Sequence, residues 1–414
     1  MSASGHAGDR PGWLPRAIPG LVVGGAGALV AGVVIGLGVN ASAVVGSGGY
    51  LFAASLLLAV GLYGSTYAID LKALRADLSG VVAAVTVGVV LKAALITGTM
   101  ALVLRRPESL VLGIAVAQID PLSVAAMDRG ERMSPRARSL LKAWASFDDP
   151  MTVLLTLYLA GYAYAAAGHQ GTPRILGESN AGHLTGLAAN AALLAAVALL
   201  WWAGRAVSAR LPRPLADRGV GAAATLVLAV VTLLLAADRS LMLAVALIGL
   251  FLRSPLLGRL VDRAVGGAYL AAFLALGLLL AHGVAWWPGF VLGSAAFVAQ
   301  AVVALGVMPL FVRGLERRDR IALGLGQQNG ITAVLIALSL EHDFPGTAAT
   351  VGPAVITVAV LHGIGQLVLA RLRAPDVGPV PDRGRGELDT DEPRPSPREA
   401  EAVETAQDRE RSVT

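Results

Sequence analysis

Long apolar runs separated by short polar or charged stretches set the pattern of this chain. Runs of about twenty residues, the length that spans a hydrocarbon core as a helix, recur near 18–39, 49–69, 79–103, 108–127, 138–165 and 182–204. Six more lie near 219–237, 239–253, 265–283, 287–312, 321–340 and 348–371, of which 239–253 is short. The pattern predicts an all-α membrane protein with about twelve transmembrane helices. An even count places both termini on one face of the bilayer.

Composition agrees with a bilayer environment. The 414 residues are 55% hydrophobic and 15% charged, with a mean hydropathy of +0.67, far from the usage of soluble domains. The chain has no cysteine, which excludes disulfides, thiolate metal sites and cysteine nucleophiles.

Charge orients the spans. Loops predicted to be cytoplasmic hold eighteen Lys or Arg, among them Lys72, Arg75, Arg136, Arg138, Arg317 and Arg318, whereas the opposite loops hold only Arg105, Arg106, Arg174 and Arg239. The positive-inside rule then puts both ends in the cytoplasm, with the protein in the cell membrane. Residues 1–17 form a cytoplasmic segment, 18–372 the transmembrane domain and 373–414 a cytoplasmic tail. Arg10 and Arg16 precede the first run as in a signal peptide, but the run exceeds an h-region and lacks a cleavage site. From residue 374 the chain holds eleven Asp or Glu against six Arg, so its net +5 leaves +10 for residues 1–373. Such a tail cannot bury enough surface to offset its ordering entropy.

Three polar interruptions inside the spans carry the candidate chemistry, because an ionisable group at mid-membrane costs at least about 2.5 to 3.5 kcal/mol. The fourth span contains Asp120-Pro121 after Gln118 and Ile119. Proline removes a backbone donor and clashes with the preceding turn, so this helix is expected to break, with Asp120 about 18 Å from Glu108 at helical rise. The alternative is a helix end capped by Asp120. The fifth span holds Asp148-Asp149-Pro150, about 15 to 17 Å from the basic Arg138. Adjacent helical residues point about 100° apart, so one carboxylate can face a substrate while the other meets a protein partner; a loop between two short apolar segments is the alternative. The eleventh span carries Gln327, Gln328 and Asn329 among three glycines, a stretch predicted to be unwound where it lines a cavity; an ordinary polar helix interface is the alternative. Interrupted spans in each half, running in opposite directions, point to an inverted-repeat secondary transporter with two crossed, interrupted helices.

On these residues the sequence resembles the cation:proton antiporter superfamily, which includes bacterial sodium/proton and potassium/proton exchangers. Asp120-Pro121 looks like that family's Thr-Asp-Pro motif, with Ile119 in place of threonine, and Asp148-Asp149 looks like its ion-binding pair. Gly330 through Leu340 aligns with the second crossing helix. The resemblance covers roughly residues 50–370. It implies no cofactor, a transported monovalent cation and proton bound at Asp149 and Asp148, and a homodimer in membrane lipid with no nucleic acid. Asp120 and Asn329 are then the residues for helix-break electrostatics. The arginine or lysine of the family's late core helices has no counterpart; Asn329 stands where an arginine aligns, and the arginine's glutamate partner falls near Lys142. Lys142 reads as a snorkelling anchor, and Lys92, mid-span, is the better intramembrane counter-charge or else an interface lysine. Ser146, Thr152, Gln327 and Gln328 are possible supporting oxygens. Readings left open are potassium in place of sodium, a sodium-coupled organic-anion symporter, a non-transporting sensor and, remotely, an intramembrane aspartyl protease.

Overall fold

The computed structural model describes residues 14–69, 78–119, 133–173, 175, 182–208, 220–326 and 330–373. The chain divides into two units, Met1–Val368 and Leu369–Thr414. Of the second, only residues up to 373 are described, at the end of the last helix. The predicted tail from 374 onward lies outside the described residues.

Every predicted apolar run contains helix, and the described residues include no strand. A lipid-exposed backbone must satisfy its own hydrogen bonds, which a helix does within one segment. In chain order the elements are α1 (Leu14–Gly36), α2 (Ala41–Val45), α3 (Gly48–Tyr67), α4 (Leu78–Ala83) and α5 (Val89–Leu104). A single π-helical turn, Ala84–Gly88, joins α4 to α5. There follow α6 (Ser109–Ala115), α7 (Pro135–Ala166), α8 (Gly182–Ser208), α9 (Val220–Arg239), α10 (Met242–Ile248) and α11 (Pro255–Leu280). The last group is α12 (Trp286–Val302), a π turn at Val303–Val307, α13 (Met308–Phe311), α14 (Arg317–Gly324), α15 (Ile331–Leu340) and α16 (Thr347–Arg373). Among the described residues seven helices are long and apolar enough to cross a membrane, and Val23–Gly36 and Ile331–Leu340 are shorter apolar helices.

Two spans are interrupted near their middle. The fourth stops being helical at Ala115, and residues 116–119 follow in irregular backbone. The residue before a proline avoids the helical region, and here the helix ends well before Pro121. Asp120 itself lies outside the described residues. The eleventh span is helical as α14, irregular at 325–326 and 330, and helical again as α15; Gln327, Gln328 and Asn329 lie outside the described residues. By contrast α7 runs through Pro150 without interruption for 32 residues.

Close packing relies on glycine where helices cross. A Cβ on Gly32 of α1 would collide with the Leu274 carbonyl oxygen of α11, and one on Gly277 of α11 with that of Leu29. Each helix thus presents the bare backbone the other needs, as expected where dispersion rather than water exclusion holds helices together. The short α10 is held by polar contacts. Asn190 of α8 accepts the Ala244 amide at 2.9 Å, and Tyr67 of α3 donates to the Ser254 carbonyl at 2.8 Å. Arg253 caps the C-terminal end of α3, donating to Thr66 O at 3.2 Å and Ile69 O at 2.9 Å; cations are favoured there by the helix dipole. Arg253, Tyr67 and the α10 turn therefore lock the irregular segment after α10 against α3.

Candidate functional site

Helix α7 carries Trp144, Asp148, Asp149 and Thr152 in a stretch where residues three or four apart share a face. Asp148 thus lies on the face of Trp144 and Thr152. All four are buried, Asp148 at 0% and Asp149 at 1% exposure. Neither carboxylate meets solvent. Burying two carboxylates requires compensation from fixed partners, and each has a different one.

Asp148 closes a three-element junction. Its Oδ2 receives the Lys92 ammonium from α5 at 2.6 Å and the backbone amide of Ile119, in the irregular stretch after α6, at 2.8 Å. Lys92 is 0% exposed, and its Nζ also sits 5.1 Å from the centroid of the Trp144 ring. A carboxylate on one side and a π face on the other form a cage for one ammonium. The π turn at Ala84–Gly88 adds a residue to the turn just before α5 and so sets the direction in which Lys92 leaves its helix. Gly88 matters to the same contact, since a Cβ there would lie 3.1 Å from the Trp144 ring.

Asp149 faces the other interrupted span. Its Oδ2 accepts the Thr332 hydroxyl at 3.1 Å, and Thr332 lies in the first turn of α15, 2% exposed. The positive end of a half-helix is therefore aimed toward a carboxylate. Thr152, one turn further along α7, is fully buried, and its Oγ1 has no hydrogen-bond partner among the described residues. The C-terminal end of the facing half-helix is also capped: Gln300 of α12 donates to the Leu323 carbonyl of α14 at 2.9 Å.

The residues predicted from sequence fall into three groups. Asp148, Asp149, Thr152 and Lys92 are brought together. Lys142 is exposed, as expected of an anchor. The remainder, Asp120, Gln327, Gln328, Asn329 and the side chain of Ser146, lie outside the described residues. Sequence reasoning did not single out Thr332, Trp144, Gln300 or the Ile119 amide. Thr332 offered one signal, a hydroxyl directly after the glycine-rich break; the others are ordinary membrane-helix residues until their neighbours are known.

A buried, partnered carboxylate pair in contact with two interrupted spans is the arrangement of a membrane transporter. The chain belongs to the family described as sodium/hydrogen exchanger, transmembrane, whose sequence profile matches residues 18–371. It is therefore a multi-pass membrane protein of cation:proton antiport lineage. The structure of the sodium proton antiporter MjNhaP1 from Methanocaldococcus jannaschii at pH 8 is similar, with a TM-score of 0.54 at 16% identity, covering 86% of this chain and 95% of that one. A second MjNhaP1 structure, from an electron-microscopy map, gives a TM-score of 0.54 at 16% identity, covering 79% and 85%. No individually curated protein matches the sequence.

Proposed function

We propose that the protein exchanges a monovalent cation for protons by alternating access across the cell membrane, with sodium as the first ion to test and potassium as the alternative. Asp149 is the carboxylate that holds proton and cation in turn. The observation that carries this reading is the different placing of adjacent aspartates: Asp148 closes on the internal cation Lys92 at 2.6 Å, and Asp149 faces the start of α15 across the Thr332 hydroxyl. A hydroxyl rotates at little cost and offers a lone pair to a hard cation. Thr152 Oγ1 is a further oxygen for that shell.

The 1% exposure of Asp149 supports a closed state, from which neither side is reached without movement. When only a loaded carboxylate allows that movement, competition between proton and cation for it becomes exchange. The Lys and Arg distribution supports both termini in the cytoplasm, and the resemblance to related exchangers supports a homodimer serving pH and cation homeostasis.

The test is dissipation of a pH gradient in proteoliposomes with sodium, potassium or lithium, with and without a clamped potential. The wild-type protein is expected to dissipate the gradient with at least one of them. Asp149→Asn is expected to abolish this flux while leaving a folded protein; undiminished exchange in that variant would remove Asp149 from its assigned role.

A further inference from the structure

Two buried carboxylates lie outside the exchange site, at opposite ends of the second interrupted span. Asp319, in the first turn of α14, is 3% exposed. Its Oδ1 accepts the Ser134 amide at 2.9 Å and its Oδ2 the Ser134 hydroxyl at 2.6 Å. Ser134 is the N-cap of α7, and its Oγ in turn accepts the Ala137 amide at 3.2 Å. One carboxylate therefore sits at two helix N-termini, where negative charge is favoured. Beside it, Arg136 at the start of α7 donates to the Arg313 carbonyl at 2.7 Å.

At the far end, Asp343 follows α15 and is 8% exposed. Its Oδ2 accepts the amide of Ile175, in the segment after α7, at 3.1 Å. Its Oδ1 lies 3.3 Å from His342 Nδ1. The Tyr164 ring near the end of α7 meets Phe344 edge-on, centroids 6.0 Å apart. Asp149 and Thr332 touch between these two ends, about 22 Å along α7 from Ser134. Helix α7 thus meets the interrupted span at three levels, through Ser134, Asp149 and Tyr164, and at each outer end a carboxylate of the span accepts a main-chain amide, that of Ser134 at one end and that of Ile175, beyond α7, at the other.

We propose that Asp319 and Asp343 are positioning residues that pin the interrupted span at its two ends, Asp319 to the start of α7 and Asp343 to the segment that follows α7, holding Thr332 in register with Asp149 while the latter exchanges its ligand. The inference rests on the exchange reading given above. A broken helix has no continuous hydrogen-bond ladder to fix its two halves relative to each other, so α14 and α15 need anchors outside themselves. Hydrogen bonds to an ionised acceptor are the stronger kind, and removing the acceptor leaves buried amides unsatisfied. Each joint therefore transmits its position to the middle of the span.

The experiment uses the full chain with Asp319→Ala, Asp319→Asn, Asp343→Ala and Ser134→Ala, read by amide hydrogen exchange and by sodium-dependent proton flux in proteoliposomes. Asp319→Ala is expected to speed exchange about tenfold at the amides of Ser134 and Ala137 and, without being adjacent, at Ile331–Ala333. It should raise the sodium concentration for half-maximal flux about tenfold with the maximal rate within about twofold. Asp319→Asn, which retains one acceptor, should restore a good part of both. Asp343→Ala should expose the Ile175 amide and loosen Ile331–Ala333 likewise. Unchanged exchange at Ile331–Ala333 in both alanine variants overturns the proposal. So does equal loss of protection in α11, which would make these aspartates general stabilisers. Were the wild-type protein to move no cation, the exchange reading would fail by itself, and protection at Ile331–Ala333 would still decide whether the pins act on the centre of the span.

Discussion

Removing the ammonium of Lys92 tests the organisation of the site more directly than any other single change. Lys92 and Asp148 are both 0% exposed and 2.6 Å apart, so Lys92→Met leaves a carboxylate buried with the Ile119 amide as its remaining hydrogen-bond donor among those described here. Breaking a buried pair from one side costs about 3–5 kcal/mol, whereas replacing both partners with neutral groups of similar volume is close to neutral. Asp148→Asn is the matching half, since asparagine keeps an acceptor for Ile119 but leaves the ammonium with the Trp144 face 5.1 Å away and the weaker attraction of Asp149. Each single variant should therefore lose stability, and Lys92→Met/Asp148→Asn should recover most of it, a coupling of at least about 2 kcal/mol. A loss of 3–5 kcal/mol corresponds to a fall on the order of 3–6 °C in melting temperature for a chain of this size. Thermal unfolding in one detergent at one pH measures all four proteins. The reasoning is refuted if Lys92→Met melts with the wild type, or if the double variant is as unstable as the two single losses added together.

Further expectations follow from the same geometry. Thr332→Val removes the hydroxyl that Asp149 accepts without changing volume much; about a tenfold rise in the half-saturating sodium concentration is expected, on the scale of a hydrogen bond to a charged group, with proteoliposome flux as the check. Gly277→Leu drives a side chain into the Leu29 carbonyl and should abolish recovery of folded protein by size-exclusion chromatography, whereas Gly306→Leu, where a Cβ meets nothing within 4 Å, should not. Glu341, just beyond α15, accepts the Gly346 and Ala348 amides at 2.8 and 2.6 Å, yet burial raises its carboxyl above the model-compound value of 4.5. A carboxyl raised on folding favours the fold most below about pH 4.5 and loses that contribution as pH rises through its folded value; Glu341→Gln should flatten the fall of melting temperature as pH rises above about 4.5.

The spans, their rough boundaries and the two breaks were legible in the sequence because hydropathy, proline and glycine act locally. The place of Asp148 and Asp149 near the middle of their span came from counting along α7, and the 100° step between neighbours already implied that they face different partners. Of those partners, Lys92 was legible only as a candidate counter-charge, without the carboxylate it meets, and Thr332 was not legible. Lys92 is 56 residues from Asp148, and the resemblance directed attention to a positive residue in the late core helices, not to α5. Whether a mid-span lysine meets a carboxylate depends on the rotational phase of its helix, which the π turn at Ala84–Gly88 resets in a way no hydrophobic pattern records. The contact of Asp149 with Thr332 joins α7 to a half-helix 183 positions away, and Asp319 meets Ser134 across 185. Sequence alone pointed to charges inside apolar spans that would need burial and partners, since each residue's transfer cost is its own. Only the tertiary structure decided which buried group offsets which, because that choice is made by helix rotation and packing among segments far apart in the chain.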